Sequence, residues 1–297
     1  MEKEISDILL RKKYSLLTEI IKSHAPGAVA FSGGVDSAFL LWTACQTLGS
    51  GTAAITARSA FVTDREMAEA EDFCRSRGIS QVVCDIDVLE NSDIAENPPD
   101  RCYHCKHEIF SAMLRAAEEK GFTCIMDGTN ADDSRDYRPG LRALKELGIV
   151  SPLQEAGLGK SEIRKLSEIF GLPTWNRPSA ACLASRFAYG EKIMGDRLRM
   201  VEKAENYLRG LGFGQLRVRV HGSLARLELL PEDMARLAEE DLSEKISLRL
   251  KELGFSYVTV DLQGYRTGSM NEVLNLDSEH ENAGSETGAE QYPSGGE

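Results

Sequence analysis

The sequence lacks both a long apolar run and an excess of basic residues. No stretch approaches the roughly 20 apolar residues that a helix needs to cross a bilayer, and the N-terminal Met-Glu-Lys-Glu carries no secretory apolar core. Lysine and arginine total 35 against 47 acidic residues, which gives a formal net charge of −12. We therefore expect neither a membrane nor a nucleic acid as a partner, because nucleic-acid binding depends on basic surfaces.

The sequence also lacks the features of a disulfide framework. Its 7 cysteines are odd in number and widely spaced, whereas disulfide-stabilised domains are short and carry paired cysteines. We therefore expect a reducing, cytoplasmic location. The 297 residues, 42% of them hydrophobic, suffice for a large core or for two domains of a globular protein.

Strand-like and helical stretches alternate over the first part of the chain. Short apolar runs at 28–31, 52–57, 81–86 and 123–127 predict strands, and stretches with helical periodicity separate them. Such alternation predicts right-handed crossovers and hence an α/β fold, a Rossmann-like and mostly parallel sheet with helices on both faces. We place this domain at residues 1–175.

The remaining sequence divides into three segments. Residues 176–192 have few periodic apolar positions and are predicted to form an active-site loop or linker that carries Cys182. Residues 193–276 contain one amphipathic helix and three short alternating runs, which predicts a small α+β domain for substrate binding or oligomerisation. Residues 277–297 carry six acidic residues and no basic one, and we expect a disordered tail.

The strongest motif is Ser32-Gly33-Gly34-Val35-Asp36-Ser37, which follows a predicted strand and opens a predicted helix. In that position successive backbone N–H groups and the positive end of the helix dipole favour a bound phosphate. The motif lacks the Gly-Lys-Ser/Thr ending of a Walker loop, so transfer of a γ-phosphate is not implied.

A second candidate site consists of cysteines. Cys102 and Cys105 form a Cys-x-x-Cys pair before a predicted helix, and Cys182 lies in a distant segment. Such a pair in a cytosolic protein indicates a metal, an iron–sulfur cluster or redox chemistry. Three thiolates suit a [4Fe–4S] cluster with one open iron; zinc bound with help from His107 is the alternative. The other cysteines are expected to be inert core residues: Cys45, Cys74, Cys84 and Cys124.

A predicted hairpin indicates a third site. A two-residue turn at Gly222-Ser223 pairs Arg217 with Glu228 and Arg219 with Arg226 across the two strands. Directly opposed arginines are unfavourable unless an anion lies between them or acidic groups from another element meet them. We therefore expect a substrate phosphate or carboxylate here, with contact to acidic side chains or solvent as the alternative.

The hexapeptide at 32–37 resembles the PP-loop of the adenine nucleotide α-hydrolase superfamily. The resemblance implies binding of ATP and Mg²⁺ and release of pyrophosphate. In that picture the pyrophosphate is held by Ser32, Gly33, Gly34, Val35 and Ser37. Asp36 would help to hold the metal ion. Adenine would be recognised at Ala57 and Arg58, and Gly128 and Thr129 would close the nucleotide pocket at the carboxyl ends of the strands.

Four separated motifs within residues 10–265 resemble the LarE family of ATP-dependent sulfur transferases. They are Asp100-Arg101-Cys102, the stretch 127–133, the stretch 178–186 and Arg217-Val-Arg219. The resemblance implies adenylation of a carboxylate of a pyridinium-3,5-biscarboxylate mononucleotide and its conversion to a thiocarboxylate, a step in the synthesis of the nickel-pincer nucleotide cofactor.

The family resemblance leaves two sulfur sources open. In one LarE subtype the cysteine that matches Cys182 gives up its own sulfur, whereas another subtype carries two more cysteines and a [4Fe–4S] cluster. Cys102 and Cys105 indicate the three-cysteine subtype. The resemblance also implies a homo-oligomer, such as a hexamer. The external sulfur donor is not encoded.

Further residues complete the predicted site. We expect Cys182 to be catalytic. Lys106 and Arg186, adjacent to the cysteines, are expected to lower a thiol pKa or to orient the substrate; the alternative is that each is a solvated charge. The substrate residues are predicted to be Arg217, Arg219, Glu228 and Glu205. The position of Glu205 on the polar side of its helix by itself predicts a surface residue, so its assignment depends on the resemblance alone.

Two other function classes compete with this interpretation. A PP-loop tRNA thiolase or an ammonia-dependent synthetase would share the nucleotide chemistry, although the acidic composition disfavours tRNA. A non-catalytic nucleotide- or metal-sensing protein would share only the fold. The retained Asp36 and the three candidate sulfur ligands disfavour that second class.

Overall fold

A computed structural model of the chain describes residues 5–135, 139–178, 181–238, 240–266 and 268–272. Among these residues, no helix is both long enough and apolar enough to cross a membrane. The predicted acidic tail at 277–297 lies outside the described residues. The chain divides into two compact units, Met1–Ala184 with Tyr189–Glu202, and Ser185–Ala188 with Lys203–Glu297.

The first unit alternates strands and helices. In chain order its elements are α1 (Ile8–Ser23), β1 (Gly27–Ala30), α2 (Val35–Leu48), β2 (Ala54–Arg58), α3 (Asp64–Ser76), β3 (Gln81–Asp85), α4 (Ser92–Ala95), α5 (Arg101–Glu119), β4 (Cys124–Met126), α6 (Pro139–Glu146), α7 (Pro152–Glu155) and α8 (Lys160–Ile169). The four predicted strands are confirmed to within two residues at each end.

The strands form one parallel sheet in the order β3-β2-β1-β4. β1 pairs with β2 through Val29 and Ala54, and with β4 through Ala28 and Ile125. The chain leaves β1 toward β2 on one side and returns to β4 on the other, so the order reverses beside β1. Ligands of open α/β sheets bind at such a point, outside the carboxyl ends of the strands. The predicted α/β fold is therefore confirmed.

Helices cover both faces of this sheet. Adjacent strand residues point to opposite faces. Val29 packs in an apolar cluster with side chains from α1, α2, α3 and α8, whereas Ala28 packs in another with side chains from α5. Aromatic rings contribute to the first cluster, where Tyr14 and Phe170 have centroids 5.2 Å apart. Phe31 and Val35, on either side of the phosphate loop, belong to the first cluster, so the core holds both ends of the loop.

Local side-chain caps decide where several helices begin. Asp7 accepts hydrogen bonds from the N–H groups of Leu9 and Leu10 at the start of α1, at 3.0 and 3.1 Å. Thr63 and Glu66 form a reciprocal capping box at the start of α3. These caps satisfy N–H groups that have no partner within the helix.

The second unit has a three-stranded sheet. Helix α9 (Gly195–Gly210) begins in the first unit and ends in the second. β5, β6 and β7 follow in that spatial order; β5 and β6 are antiparallel, and β6 and β7 are parallel. The elements after α9 are β5 (Leu216–His221), β6 (Leu224–Leu229), α10 (Pro231–Met234), α11 (Glu240–Glu252) and β7 (Tyr257–Val260).

Candidate active site

The phosphate motif forms a tight turn between β1 and α2. Gly33 has a φ of +76°, a conformation that glycine adopts without steric cost. The hydroxyl groups of Ser32 and Ser37 lie 3.1 Å apart across the turn. Gly34 stands at the N-cap of α2, and no side chain caps this end of the helix. The first N–H groups of α2 can therefore bind an anion.

Gly128, which follows β4, contacts this turn directly. A Cβ atom added at Gly128 would lie 2.9 Å from the backbone nitrogen of Ser37 and 3.2 Å from its Cα. Only glycine permits this approach. Thr129 is buried, and its hydroxyl donates a hydrogen bond to Asp127. The structure thus places Gly128 and Thr129 beside the phosphate loop, at the reversal point of the sheet.

Asp36, the second residue of α2, lies in an ion pair with Lys160, the first residue of α8. Burial raises the pKa of the Asp36 carboxyl above its usual value, and Lys160 opposes that rise. Within the described residues, Asp36 Oδ1 is buried without a hydrogen-bond partner. One carboxylate oxygen is therefore paired with an ammonium group, and the other is available to a cation.

A further cation at the phosphate loop was not predicted from the sequence. Arg177 donates a hydrogen bond to the carbonyl oxygen of Gly33 and forms an ion pair with Glu69. Arg164 holds the segment that carries it, because its Nη2 lies 2.6 Å from the carbonyl oxygen of Arg177. Nothing in the local pattern around Arg177 indicates this contact, which depends on the folding of the 172–178 segment against the loop.

The predicted adenine residues lie at the end of β2. Ala57 is half-buried. Arg58 is exposed, and its guanidinium lies 3.0 Å from Asp85 Oδ1 and 3.5 Å from Glu71 Oε1. Both positions are at the carboxyl edge of the sheet, where the nucleotide crevice of such folds lies.

The structure brings the three candidate thiols into one electrostatic cluster. Cys102 and Cys105 lie inside the first turns of α5 rather than before that helix, because the helix begins at Arg101 with Asp100 as its N-cap. Burial, followed by the neighbouring Cys182 and Cys102, raises the pKa of Cys105 to about 12. Cys182 itself is exposed.

Arg101 is the cation of this cluster. It is buried and donates hydrogen bonds to Asn97 Oδ1 and, at 3.2 Å, to the carbonyl oxygen of Ala184. Burial acts to lower the pKa of Arg101, but Cys182 and Cys102 outweigh burial and raise it. Arg101 belongs to the Asp100-Arg101-Cys102 motif, but its place beside the thiols was not predicted from the sequence.

Lys106 and His107 follow Cys105 on α5, and each contacts residues outside the thiol cluster. The Lys106 methylene groups pack on α6, since a Cβ added at Gly140 would lie 2.7 Å from Lys106 Cδ. His107 lines a cavity of about 340 Å³ on α5 together with Tyr103 and His104. In the part of the chain that the structure describes, no three His, Cys, Asp or Glu side chains converge on a position for a single metal ion.

The other four cysteines all lie in or against the apolar clusters, but only one of them is a fully buried core residue of the kind predicted. Cys74 is buried, and the remaining three are half-buried. Burial raises the pKa of Cys74 to about 12 and that of Cys45 to about 11. Burial also raises the pKa values of Cys84 and Cys124. Such thiols are poor nucleophiles, because the reactive form is the thiolate.

In the second unit, Glu205 is buried rather than exposed, which corrects the surface position predicted from its helix. Arg186 forms a bidentate pair with it, Nε to Oε1 at 2.9 Å and Nη2 to Oε2 at 3.0 Å. Arg209 lies 2.8 Å from Oε2. Burial raises the pKa of Glu205, but the arginines outweigh it, so the pKa lies below its usual value.

The predicted hairpin register is confirmed, because Arg217 pairs with Glu228 and Arg219 with Arg226. The opposed arginines do not need an external anion, because the carboxylate of Glu228 lies between them. It is 2.9 Å from Arg219 Nη2 and 3.1 Å from Arg226 Nη2. The repulsion that suggested an anion site is thus relieved by the protein itself.

Unlike the two other arginines of the hairpin, Arg217 has no carboxylate partner among the described residues. It is buried, donates to the carbonyl oxygen of Leu216 at 2.7 Å, and has its Cζ 5.2 Å from the centre of the Tyr265 ring. Burial, followed by the charge of Arg186, lowers the pKa of Arg217. A buried cation of this kind is a suitable contact for an anionic substrate group.

No family model matches the chain, but three proteins resemble it over most of its length. It is 38% identical over 267 residues to the pyridinium-3,5-bisthiocarboxylic acid mononucleotide synthase of Lactiplantibacillus plantarum, covering 89% of this chain and 96% of that protein. It is 39% identical over 266 residues to an uncharacterized Synechocystis protein, covering 90% and 99%. An uncharacterized Methanocaldococcus jannaschii protein is 30% identical over 239 residues, covering 80% and 90%. The chain therefore belongs to the LarE family, the family of the pyridinium-3,5-bisthiocarboxylic acid mononucleotide synthases.

Proposed function

We propose that this protein is an ATP-dependent sulfur transferase that converts a carboxylate of a pyridinium-3,5-biscarboxylate mononucleotide into a thiocarboxylate, in the synthesis of the nickel-pincer nucleotide. The observation that carries the proposal is the 38% identity to the named synthase over 89% of this chain. The name of that relative specifies the bisthiocarboxylic acid. Sulfur can replace a carboxylate oxygen only after that oxygen has become part of a good leaving group.

ATP supplies the leaving group. A carboxylate oxygen attacks the α-phosphorus, the bond to the β-phosphate oxygen breaks, and pyrophosphate departs to leave an acyl-adenylate. The N–H groups at the start of α2 and the hydroxyls of Ser32 and Ser37 stabilise the charge on the departing pyrophosphate. The nucleotide pocket consists of this loop with Ala57, Arg58, Gly128 and Thr129.

Asp36 fits the role of a magnesium ligand. Its carboxylate is a hard oxygen donor of the kind that Mg²⁺ prefers, and its buried Oδ1 has no hydrogen-bond partner in the described chain. Bound magnesium would supply positive charge against the phosphates. The role of Asp36 is to hold that charge next to the turn at 32–37.

Cys102, Cys105 and Cys182 fit the role of ligands to a [4Fe–4S] cluster. A cubane cluster takes each cysteine on a different iron, so its ligands stand further apart than those of a single ion. Cys182 and Cys102 both act on the pKa of Cys105, so the three thiols are near enough to one another to interact. Such a cluster, when bound, supplies a sulfur atom at its open iron. The nearby Arg101 compensates the negative charge of the three thiolates.

Cys182 provides the alternative source of sulfur. Its exposed thiolate would attack the acyl-adenylate carbonyl and displace AMP to form a thioester. Removal of the Cα proton and cleavage of the Cβ–S bond would then release the thiocarboxylate and leave dehydroalanine. The protein would be consumed in this route, whereas the cluster route permits repeated turnover.

The second unit supplies the anion-binding groups. Arg217, buried and without a carboxylate partner among the described residues, is proposed to bind the phosphate or a carboxylate of the mononucleotide. Glu228 is the cross-strand neighbour of Arg217 and forms an ion pair with Arg219, and together they are proposed to position Arg217. Glu205 holds Arg186 through a second ion pair. We further propose that the protein is a cytoplasmic homo-oligomer, such as a hexamer. Light scattering would measure the mass of the assembly.

The test begins with protein purified without oxygen. We expect about four irons and four acid-labile sulfides per chain, lost in Cys102→Ala, Cys105→Ala and Cys182→Ala but retained in the matched control Cys84→Ala. Absence of iron, with Cys182 losing the mass of H₂S after ATP and substrate, would establish the consumed-cysteine route instead. Pyrophosphate released with tRNA or ammonia, and not with the pyridinium substrate, would contradict the proposed function.

A further inference from the structure

We propose that Arg177 is a positioning residue that couples the phosphate loop to Cys182, so that an anion bound at the loop fixes the segment that presents this thiol. The inference rests on the proposed function, because it takes a nucleotide at residues 32–37 and a role for Cys182 in sulfur delivery as given. All of the residues that carry it belong to the first unit.

Arg177 contacts the backbone of the phosphate loop from a distant part of the sequence. Its Nη1 donates a hydrogen bond to the carbonyl oxygen of Gly33, and a Cβ added at Gly33 would lie 3.4 Å from the same nitrogen. Its Nη2 forms an ion pair with Glu69 of α3. The side chain is only 28% exposed. The guanidinium is therefore held between the loop and α3 instead of extending into solvent.

The hydrogen bond from Arg177 acts on a peptide group at the anion-binding end of α2. The carbonyl of Gly33 and the N–H of Gly34 belong to one planar trans peptide, in which the two groups point in opposite directions. Gly34 is the N-cap residue of α2, and N–H groups at such a helix end bind anions. A donor that fixes the carbonyl therefore also fixes the N–H. Because linked hydrogen bonds polarise one another, phosphate binding at this end strengthens the contact with Arg177.

The backbone around Arg177 is tied to the same nucleotide site from a second side. Arg164 of α8 donates hydrogen bonds to the carbonyl oxygens of Trp175 and Arg177, at 2.7 and 2.6 Å. The charge of Arg164 also acts on Asp36. Two arginines thus connect the turn at 175–177 to the phosphate loop and its carboxylate, so the position of this turn depends on what the loop binds.

The chain is fixed again directly after Cys182. Leu183 is buried, whereas Cys182 is exposed, and the N–H of Leu183 donates to the carbonyl oxygen of Phe61 at 3.0 Å. Cys182 follows Arg177 by five positions, a span of at most about 18 Å. One end of this short span is attached to the phosphate loop and the other to the core. A change at the loop is therefore transmitted to the thiol through contiguous contacts.

Such coupling suits the order of the proposed reaction. Sulfur can attack the carboxylate carbon only after ATP has supplied a leaving group. A thiol that is positioned in response to the nucleotide meets the carbonyl when that carbonyl is activated, which is where correct placement accelerates a reaction. Arg177 needs no contact with the substrate or with sulfur for this role, because it acts through Gly33 and through the segment that follows it.

The experiment measures alkylation of Cys182 by iodoacetamide in the full, iron-free chain, with and without saturating magnesium pyrophosphate. Pyrophosphate fills the loop without the bulk of adenosine, and calorimetry gives the saturating concentration for each variant. We expect alkylation to slow by about fivefold or more in the wild type and by less than about twofold in Arg177→Met. Arg177→Lys keeps a donor for Gly33 and should retain the response.

Arg65→Met is the matched control. Arg65 pairs with the same carboxylate of Glu69, at 2.7 Å, from an exposed position on α3. Alkylation of this variant should respond to magnesium pyrophosphate as the wild type does. Loss of the response in Arg65→Met as well would show that it depends on Glu69 and not on the contact with Gly33, and would overturn the proposal.

A second measurement depends on no variant. Magnesium pyrophosphate should slow amide hydrogen exchange at Leu183 in the wild type, because a fixed segment breaks its hydrogen bond to Phe61 less often. Mass spectrometry of the peptide that contains Leu183 measures this exchange. Exchange that is unchanged by magnesium pyrophosphate would overturn the coupling even if Arg177→Met failed to fold.

The remaining outcomes are distinguishable. Equal slowing of alkylation in the wild type and in Arg177→Met would mean that the bound anion shields the thiol directly, and would overturn the role of Arg177. A wild type that binds magnesium pyrophosphate without any change at Cys182 would overturn this inference and leave the proposed function intact. A wild type that binds neither MgATP nor magnesium pyrophosphate would contradict the proposed function and this inference with it.

Discussion

The carboxylate of Glu228 and the guanidinium of Arg219 form a bidentate ion pair, with Nε to Oε1 at 3.0 Å and Nη2 to Oε2 at 2.9 Å. Glu228 is completely buried, and Arg219 is 7% exposed. The hydroxyl of Ser269 adds a hydrogen bond to each partner, at 2.9 and 2.8 Å. This carboxylate lets the second unit place the buried Arg219 opposite the half-buried Arg226 without an external anion.

Removing one partner of this pair should destabilise the protein strongly. Glu228→Gln leaves the buried Arg219 and the half-buried Arg226 without their shared carboxylate, and we expect the free energy of unfolding of the protein to fall by about 3 kcal/mol or more. Arg219→Met/Glu228→Met removes both charges and should cost less than the single change. Urea unfolding measures both. Glu252→Gln, at an exposed pair with Arg249, is the control; an equal loss there would contradict the prediction.

The stabilisation from Glu205 should depend on pH in a defined direction. Its pKa lies below the usual value when folded, so its contribution is complete above the pKa of an unfolded glutamate, about 4.3, and is lost as pH falls through the lower folded-state pKa. Glu205→Gln should therefore lower the Tm clearly at pH 7. The difference from wild type should narrow below about pH 4.

The control for Glu205 is Glu244→Gln at an exposed position of α11. Its Tm should follow that of the wild type over the same pH range. A difference between Glu205→Gln and wild type that stays constant from pH 7 to pH 3 would contradict the assigned charge interaction and would indicate a packing defect instead.

The thiols of metal-free protein should differ in reactivity. Cys182 is exposed, whereas Cys105 is shielded and its pKa is raised to about 12. Iodoacetamide at pH 8 should therefore modify Cys182 first, since alkylation needs an accessible thiolate. Peptide mass spectrometry measures the order. Reconstitution with iron and sulfide should protect Cys182, and Cys74 should stay unmodified in both forms; unchanged reactivity of Cys182 would speak against cluster ligation.

Gly128 should be needed for nucleotide binding more than for folding. Gly128→Ala places a Cβ against the backbone of Ser37 and should displace the start of α2, at a cost of about 1–3 kcal/mol. We expect ATP affinity to fall by at least tenfold while the far-ultraviolet circular dichroism spectrum is retained. Gly210→Ala, where a Cβ meets no atom within 4 Å, is the matched control. Equal ATP affinity of Gly128→Ala and wild type would refute the contact.

Short-range pattern was sufficient for much of the fold. The four parallel strands and the hairpin register followed from runs of apolar residues and a Gly-Ser turn, because a strand's side chains alternate between its two faces and a slip of one residue would expose the apolar face. The phosphate loop was equally visible, since the strand, the two glycines and the following helix are contiguous in sequence.

The sequence pattern did not predict which charged side chains are buried. The period of α9 placed Glu205 on a polar face, yet Arg186 and Arg209 enclose it. Glu228 was predicted opposite Arg217, but its carboxylate pairs with Arg219 and Arg226. A helical or strand period describes which face a side chain occupies; it does not describe which distant charge will meet that face.

Local sequence thus determined the strands, the phosphate turn and the candidate thiols, because each depends on residues that are neighbours along the chain. Tertiary structure alone decided the pairing of Asp36 with Lys160, the contact of Arg177 with Gly33, and the place of Arg101 among the thiols. Those contacts join residues from separate elements. Their geometry exists only once the sheet has ordered its strands and the core has positioned the helices on it.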